Sequence, residues 1–303
     1  MNNTIKVGFL ASYDYKLLQT SIPIVYNAAD EITLAIDKNR LTWSGNTFAV
    51  ENDFFEWLKQ FDTNHKIRIY EDDFYVSDLS PMENETRERS LLAKYMGLDG
   101  WHIQLDTDEY FIDFDGFTNF LKNKADKFVK PNEAYGVYAK VITLFKKTKN
   151  GFIYITSPEN FPIATRNPQY EVARMVKGGK LLSNFFMIHQ SWAREKNEML
   201  AKINNWGHAN DFNTQSYYNF WDACDEHNYP FYNNFHPLSK TMWESLAYTE
   251  GKSIPEFISN YRTLHDQELI RDKHFYQPLP KKKGKLSRMV SSLKSIIKKL
   301  KLK

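Results

Sequence analysis

An acidic cluster, Asp106-Thr107-Asp108-Glu109, follows the apolar segment 101–105. Two carboxylates spaced i, i+2 at the end of a buried strand can both approach one divalent cation. Mg²⁺ and Mn²⁺ prefer such oxygen ligands, completed by water and phosphate oxygens. A diphosphate leaving group needs this neutralisation, because negative charge builds on its bridging oxygen as the bond breaks. The cluster therefore indicates a metal–diphosphate site, although Asp-x-Asp also occurs by chance.

The first half of the chain alternates between strand-like and helix-like segments, as α/β proteins do. The pattern predicts strands over 5–12, 31–37, 65–73 and 101–111, and helices over 21–29, 51–61 and 82–97. Three of these strands end in acids, at Asp37, at 71–73 and at 106–109. Ligands of open parallel sheets bind beyond the carboxyl ends of the strands, so the acids favour a site there. The alternative is that each acid only caps a strand end or a helix start.

The second half predicts a β-hairpin, a further strand and a helix, over 134–156, 180–192 and 194–208. Asn150-Gly151 is a strong turn signal for the hairpin. We find no internal repeat and no Gly/Ser linker. We therefore expect a catalytic domain over 1–245, a helical extension over 246–280 and a basic tail over 281–303.

The stretch 87–111 resembles the core of the family-2-like glycosyltransferases of GT-A fold. The residues that carry the resemblance are Arg89, Trp101, Leu105, Asp106, Asp108 and Glu109. Ser90 stands where the family usually has Asn, and Tyr110 where it usually has Phe. The likeness extends over roughly residues 5–115. It implies a Rossmann-like mixed α/β sheet flanked by helices, which a C-terminal amphipathic helix would follow.

The resemblance also implies a metal site. Asp106 and Asp108 would hold Mn²⁺ or Mg²⁺ on the diphosphate of a nucleotide sugar. Enzymes of this fold often complete the site with a His from the far side of the domain. His189, at the end of an apolar strand, is our candidate for that ligand, and His208 is its competitor. A single His after a strand is also commonly a structural residue.

Further residues are candidates for binding the nucleotide sugar. By the resemblance, Ser12 and Asp37 would begin the nucleotide pocket, and Asp37 would contact the uridine or its ribose. Asp72 or Asp73 would contact the base. Arg89 or Arg87 would contact a phosphate. Arg194 and Lys202 lie eight residues apart, close to two helical turns, and can present cations to a diphosphate. The alternative is a solvent-exposed helix face on which these cations form ion pairs with Glu195 and Glu198.

Catalysis with inversion needs a carboxylate that takes the proton of the acceptor hydroxyl. Glu109, Glu171 and Asp211 are the candidates, and neither of the last two lies in a recognisable motif. Retention needs no base in that position. The sequence leaves the stereochemistry open.

Composition limits the class of protein. The 303 residues are 42% hydrophobic and 25% charged, which is typical of a globular chain and excludes a wholly disordered one. A single cysteine, Cys224, excludes an intramolecular disulfide and a Cys-rich zinc site. No run of about 18 apolar residues exists that would span a bilayer. These features predict a protein of the reducing cytoplasm.

The segment 281–303 combines an apolar stripe at helical spacing with ten Lys and Arg residues and no acid. The rest of the chain holds 30 Lys and Arg against 37 Asp and Glu, so the formal charge of +3 hides an acidic body and a basic tail. Such a helix lies in the interface of an anionic membrane. A coiled-coil seam and a nucleic-acid arm are the alternatives, and we favour the membrane, with no nucleic acid partner.

The sequence thus predicts a metal-dependent glycosyltransferase on the inner face of the cell membrane. It would move a sugar from a nucleotide donor, UDP-linked, to a surface-glycan or lipid-linked acceptor near the membrane. A nucleotidyltransferase with a similar acidic metal site is one alternative, although no Gly-rich phosphate loop is present near the N-terminus. A non-catalytic scaffold that docks on membranes is the other.

Overall fold

The computed structural model describes residues 3–128, 134–205, 212–239, 242–266, 269 and 276–279. The predicted tail 281–303, and with it the predicted amphipathic helix, lies outside the described residues, as do the candidates His208 and Asp211.

The first half forms a parallel sheet with helices between its strands. Its elements are β1 (Ile5–Ala11), α1 (Leu18–Tyr26), β2 (Glu31–Asp37), α2 (Asn52–Phe61), β3 (Ile67–Asp72), α3 (Pro81–Tyr95) and β4 (Trp101–Asp106). The strands lie in the order β3-β2-β1-β4, and all three pairings are parallel. Every residue of β1 is buried, as expected for a strand that is covered on both faces.

The second half extends this sheet with antiparallel strands and with one parallel pair. Its elements are β5 (Glu109–Phe111), α4 (Phe114–Asn123), β6 (Tyr135–Lys147), β7 (Gly151–Ile155), β8 (Glu159–Thr165), β9 (Tyr170–Val172), β10 (Met175–Val176), β11 (Gly179–His189), α5 (Lys196–Asn205), α6 (Thr214–Asp222), β12 (Leu246–Glu250), α7 (Ile254–Leu264) and β13 (Tyr276–Leu279). β8 runs antiparallel to both β4 and β6, and β6 continues the sheet to β7 and β11. The predicted mixed α/β sheet flanked by helices is confirmed.

One predicted strand is divided. The segment 101–111 forms β4 and β5 with a turn at Thr107-Asp108, and β5 pairs with β11 rather than with the neighbours of β4. The pairing sets Glu109 beside His189. The turn therefore carries Asp108 toward the second half of the sheet.

Helix α3 begins with a complete capping box. The Ser80 hydroxyl accepts from the backbone N–H of Glu83, the Glu83 carboxylate accepts from the backbone N–H of Ser80, and Pro81 occupies the first turn. This fixes the start of the helix. Its inner face then buries Glu88 and Arg89 at the edge of the sheet.

The main core lies between the parallel strands and helices α1, α2 and α4. Val7 and Phe9 of β1 meet Leu18 and Ile22 around α1, and each of these side chains is fully buried. A second cluster packs α7 against β6 and β7, with Phe257 fully buried. Burial of these apolar faces holds the carboxyl ends of β1, β2 and β4 in fixed positions.

The predicted division at residue 245 does not coincide with a break in the fold. β12 pairs with β7, with Leu246 beside Ile155, and β13 pairs with β11. Segment 246–280 therefore contributes two strands to the main sheet in addition to helix α7. None of the described helices is long and apolar enough to cross a membrane.

Candidate active site

A cavity of about 530 Å³ opens at the carboxyl ends of β1, β2 and β4. Ser12, Asp37 and Asp106, one from the end of each strand, line it. This is where ligands bind in open α/β sheets, and the volume lies within the range of small-molecule sites, roughly 300–1,000 Å³. The acids that the sequence places at the ends of β2 and β4 therefore do share one cavity.

Asp106 faces the cavity and is paired with a buried arginine. Its side chain is 30% exposed, and its Oδ1 lies 2.6 Å from a guanidinium nitrogen of Arg89. Burial alone would raise the pKa of Asp106, but the charges of Arg89 and Arg174 outweigh it and hold the pKa at about 2. Asp106 is therefore ionised at neutral pH. Arg89, which also binds Glu85 at 2.9 Å, is held inside the protein and is not a free phosphate ligand.

Asp108 is the meeting point of three cationic or basic groups. Its Oδ2 accepts from Arg194 at 2.5 Å and from Lys202 at 2.8 Å, and its Oδ1 lies 3.4 Å from Nε2 of His189. Burial opposes ionisation, but Lys202, His189 and Arg194 together hold the pKa of Asp108 well below its usual range. Asp108, a predicted metal ligand, thus contacts the second predicted ligand, His189. It also contacts both predicted phosphate-binding cations, Arg194 and Lys202.

The donor set fits a cation that is shared with a bound phosphate. No group of three or more His, Cys, Asp and Glu side chains converges on one point among the described residues. Asp108 Oδ1 and His189 Nε2 nevertheless have the separation of neighbouring ligands on one ion, which is about 3 Å for bonds of about 2.1 Å. Mg²⁺ is usually held by one or two carboxylates together with substrate phosphates. The side chains therefore suit such an ion and not an all-protein cage.

Glu109, a predicted catalytic base, is buried and paired with an arginine. Its carboxylate is buried and makes two bonds with the guanidinium of Arg174, at 2.6 and 2.5 Å. It also accepts from the backbone N–H of Asp106 at 3.0 Å. Three of the roughly four acceptor positions of the carboxylate are thus occupied, and Glu109 does not line the cavity, so this geometry does not support its predicted role as a base. Arg174, which no sequence pattern singled out, arrives on the turn between β9 and β10.

The nucleotide-binding candidates at the ends of β1 and β2 have different surroundings. The Ser12 hydroxyl is buried at the cavity wall and has no hydrogen-bond partner among the described residues. The Asp37 carboxylate accepts four backbone N–H groups, from Asn39, Leu41, Phe74 and Tyr75. Asp37 therefore lies in the wall of the cavity but fixes the loops after β2 and β3.

Asp72 and Asp73 lie away from the cavity lining, because β3 is the edge strand of the sheet. Asp72 accepts from the hydroxyl of Tyr70 at 2.5 Å, and Asp73 pairs with Lys38 at 2.5 Å. Arg87 donates to the backbone carbonyls of Asp73 and Phe74. The proposed base contact through Asp72 or Asp73 is not supported by this geometry.

Helix α5 brings Lys202 over the cavity instead of presenting a solvated cationic face. The Asn205 side-chain carbonyl at its end accepts from the Thr42 hydroxyl at 2.8 Å and from the Asn46 amide at 2.9 Å. Arg194, just before the helix, is buried and also binds Asp14 at 3.0 Å. The helix is thus attached at both ends to loops that surround the cavity.

Two further residues form a corner of the cavity that sequence reasoning missed. The indole N–H of Trp43 donates to Glu88 at 2.5 Å, and Glu88 is only 6% exposed. Burial raises the pKa of Glu88 to about 8, against the smaller opposing effects of Trp43 and Arg89. Glu88 lies in a strongly charged helical segment, and nothing in the neighbouring sequence predicts that its side chain is buried.

The opposite wall is aromatic and belongs to the antiparallel half of the sheet. Phe161 lies on β8 with its ring centroid 6.3 Å from that of His189, and Trp192 and Trp243 stand 6.1 Å apart. Trp243 donates to Glu159, at the start of β8, at 2.8 Å. All of these side chains line the cavity.

Glu171 was the second candidate base and does not belong to the site. It is 55% exposed on β9, pairs with Lys177 at 3.6 Å and does not line the cavity. A general base must lie within hydrogen-bond reach of the acceptor, so this geometry does not support Glu171 as the base of a reaction in the cavity. The third candidate, Asp211, is among the residues that are not described.

Comparison with known proteins does not identify a family. No protein-family model matches the sequence, and a search among curated proteins gives no match. Among solved structures, the chain is similar to a mannose-6-phosphate isomerase from Helicobacter pylori, at 17% identity over 52% of this chain and 56% of that one, with a TM-score of 0.30. It is also similar to a mannose-1-phosphate geranyltransferase from Thermus thermophilus, at 10% identity over 50% of this chain and 49% of that one, with a TM-score of 0.27.

Each of these similarities spans about half the length of the solved structure. With such low TM-scores neither carries an argument about activity. The resemblance to glycosyltransferases therefore rests on the sequence pattern around Asp106 and Asp108.

Proposed function

We propose that this protein is a glycosyltransferase that takes its sugar from a nucleotide donor, UDP-linked, and that depends on Mn²⁺ or Mg²⁺. The observation that carries the proposal is the meeting of Asp106, Asp108, His189 and Lys202 at one cavity beyond the carboxyl ends of the parallel strands. Arg194 is buried behind them against Asp108. Carboxylates without cations would repel a diphosphate. Cations without carboxylates would give a simple anion site. The combination suits a metal-bridged diphosphate.

The chain's own residues would divide the work as follows. Asp108 and His189 would hold the cation together with the diphosphate, with Asp106 at the same cavity, and the cation would supply charge neutralisation for the leaving diphosphate. Lys202, which is 16% exposed and faces the cavity, is placed to bind a phosphate oxygen. Arg194 would keep Asp108 ionised and oriented, because its guanidinium is buried against that carboxylate. The Ser12 hydroxyl, which is buried at the cavity wall and has no hydrogen-bond partner among the described residues, would accept a hydrogen bond from the nucleoside or donate one to it.

The acceptor would be a surface glycan or a lipid-linked sugar near the membrane. This part of the proposal depends on the basic amphipathic segment 281–303, which would dock on the anionic inner face of the cell membrane. A cytoplasmic enzyme that is held there meets both a soluble nucleotide sugar and a membrane-bound acceptor. A nucleic acid partner is not required.

The test is nucleotide binding together with donor turnover. We expect UDP to bind more tightly with Mn²⁺ than without it in isothermal titration, and UDP to be released from at least one nucleotide sugar in a panel. Asp108→Asn, which keeps the side-chain shape, should abolish the Mn²⁺ dependence of UDP binding. Glu171→Gln is the matched control, because Glu171 is an exposed carboxylate outside the cavity, and it should behave as the wild type.

The alternatives give different results in the same assays. A nucleotidyltransferase would release pyrophosphate from UTP in the presence of a sugar phosphate and would not release UDP from a nucleotide sugar. A scaffold would bind neither nucleotide. If no UDP is released from any donor and Asp108→Asn leaves UDP binding unchanged, the glycosyltransferase proposal is wrong.

A further inference from the structure

Among the described residues, seven carboxylates line the cavity, and six of them are bound to other groups of the protein. The six are Asp106 with Arg89, Asp108 with Arg194 and Lys202, Asp14 with Arg194, Glu85 with Arg89, Asp37 with four backbone amides, and Glu88 buried against Trp43. A carboxylate that is paired with a buried cation is a poor proton acceptor, since protonation would leave the cation unpaired. The seventh is Glu159.

Glu159 has the features that a proton acceptor needs. It is half-buried at the cavity, and its Oε1 accepts a single hydrogen bond, from the indole N–H of Trp243. Its other oxygen has neither a hydrogen bond nor an ion pair among the described residues. One oxygen is therefore oriented by the protein while the other remains available to a ligand.

The topology of the sheet places Glu159 beside the acidic cluster. β8 is antiparallel to β4, with Ile103 beside Ala164 and His102 beside Thr165. The start of β8 therefore lies at the carboxyl end of β4, where Asp106 is found. Glu159 and Phe161 are two residues apart on β8 and share one face of the strand. That face meets His189, whose ring is 6.3 Å from Phe161.

The walls around Glu159 suit a sugar. Phe161, Trp192 and Trp243 line the cavity; Phe161 is half-buried, and the two tryptophans are buried. Aromatic faces pack against the apolar C–H faces of sugar rings, while a few polar groups fix the hydroxyls. An acceptor bound there would lie between Glu159 and the diphosphate-binding residues.

We propose that Glu159 is the catalytic base of this protein and that the acceptor is a sugar bound against Phe161 and Trp243. The inference rests on the proposed glycosyltransferase function and adds to it the base and the stereochemistry. The acceptor oxygen attacks the anomeric carbon from the face opposite the nucleotide and forms the new C–O bond. The bond from that carbon to the diphosphate breaks, its electron pair leaves with the nucleoside diphosphate, and the hydroxyl proton passes to Glu159. The configuration at the anomeric carbon is inverted.

The decisive variant is Glu159→Gln. The amide oxygen can still accept from Trp243, but the side chain can no longer take a proton. Sugar transfer from the donor that the wild type uses, to methyl and octyl glycosides as acceptors, should fall at least about 100-fold, in line with the usual contribution of a general base. The affinity for UDP with Mn²⁺ should stay within about twofold. Glu171→Gln, the exposed carboxylate, is the matched control and should transfer at the wild-type rate.

Two further measurements test the sugar subsite and the stereochemistry. Phe161→Ala should raise KM for the glycoside acceptor and leave KM for the nucleotide sugar unchanged, because Phe161 would contact only the acceptor. The anomeric configuration of the product, read by NMR, should be inverted relative to the donor.

The failures can be told apart. If the wild type transfers sugar and Glu159→Gln retains more than a third of its rate, or if the product retains the donor's configuration, the inference is wrong while the proposed function stands. Loss of UDP binding in Glu159→Gln would also overturn it, because the role of Glu159 would then be structural. If the wild type itself releases no UDP from any donor, the proposed function fails and the inference fails with it.

Discussion

The guanidinium of Arg194 lies 2.5 Å from the carboxylate of Asp108, and each side chain is only 2% exposed. The pair joins the turn after β4 to the segment that leads into α5, across 86 positions of the sequence. Asp14 shares the same guanidinium at 3.0 Å, so the loop after β1 is attached as well. One buried cation thus fixes three sides of the candidate site.

Breaking this pair should destabilise the fold strongly. Asp108→Ala leaves Arg194 buried without its main counter-charge, and we expect a loss of about 3–5 kcal/mol in the free energy of unfolding. Urea denaturation measures it. The matched control is Glu195→Ala, which breaks the exposed pair with Lys147 and should lose less than about 1 kcal/mol. If both variants lost the same free energy of unfolding, burial would not explain the strength of the pair between Arg194 and Asp108.

The contribution of Glu88 to the stability of the protein should fall as the pH rises from about 4.5 to 8. Burial raises the pKa of Glu88 from 4.5 to about 8, so between these values the folded protein holds a proton that the unfolded chain has released. The stabilisation that Glu88 contributes is fully present below pH 4.5, which is the pKa of Glu in the unfolded chain. It falls by about 3 kcal/mol between pH 4.5 and 7. Urea denaturation at several pH values measures it. Glu88→Gln, which imitates the protonated form, should remove this slope, and an unchanged slope would exclude Glu88 as its source.

Lys202 should contribute to nucleotide affinity. Its ammonium lies 2.8 Å from Asp108 and is partly exposed to the cavity, where a phosphate can reach it. We expect Lys202→Met to weaken UDP binding about 10-fold in isothermal titration, the equivalent of about 1.4 kcal/mol. Lys196→Met is the matched control, because Lys196 lies on the same helix but is 69% exposed and pairs with Asp222. Similar affinities of the two variants would count against a phosphate contact by Lys202.

The segment 281–303 should direct the protein to anionic membranes. We expect the full chain to float with vesicles that contain an anionic lipid and not with neutral vesicles, since ten cations flank the apolar stripe. A chain that ends at Pro280 should remain in the dense fraction. High salt should weaken the flotation of the full chain. Equal flotation of the shortened chain would show that the segment is not the anchor.

Local sequence patterns were enough to predict much of the fold. Continuous apolar runs predicted β1 and β4, alternating residues predicted β2, and Asn150-Gly151 predicted the turn between β6 and β7. The strand ends located Asp37 and Asp106 at one edge of the sheet, because parallel strands present their carboxyl ends together. Strands β8, β12 and β13 were missed, and no strong local period marks them.

The roles of individual acids were decided by tertiary contacts. Glu109 follows Asp108 directly in the acidic cluster, but its carboxylate is paired with Arg174, 65 positions away. Asp37 lies at the end of its strand as predicted, but its carboxylate accepts hydrogen bonds from four backbone amides.

The acidic cluster, the α/β alternation and the basic segment 281–303 were determined by the sequence alone, because each depends on residues that are close along the chain. The cations that meet Asp108, the raised pKa of Glu88 and the position of Glu159 beside Asp106 were decided only by the tertiary structure. Charge pairing and burial depend on distances in space, and antiparallel pairing of β8 with β4 joins segments about sixty residues apart.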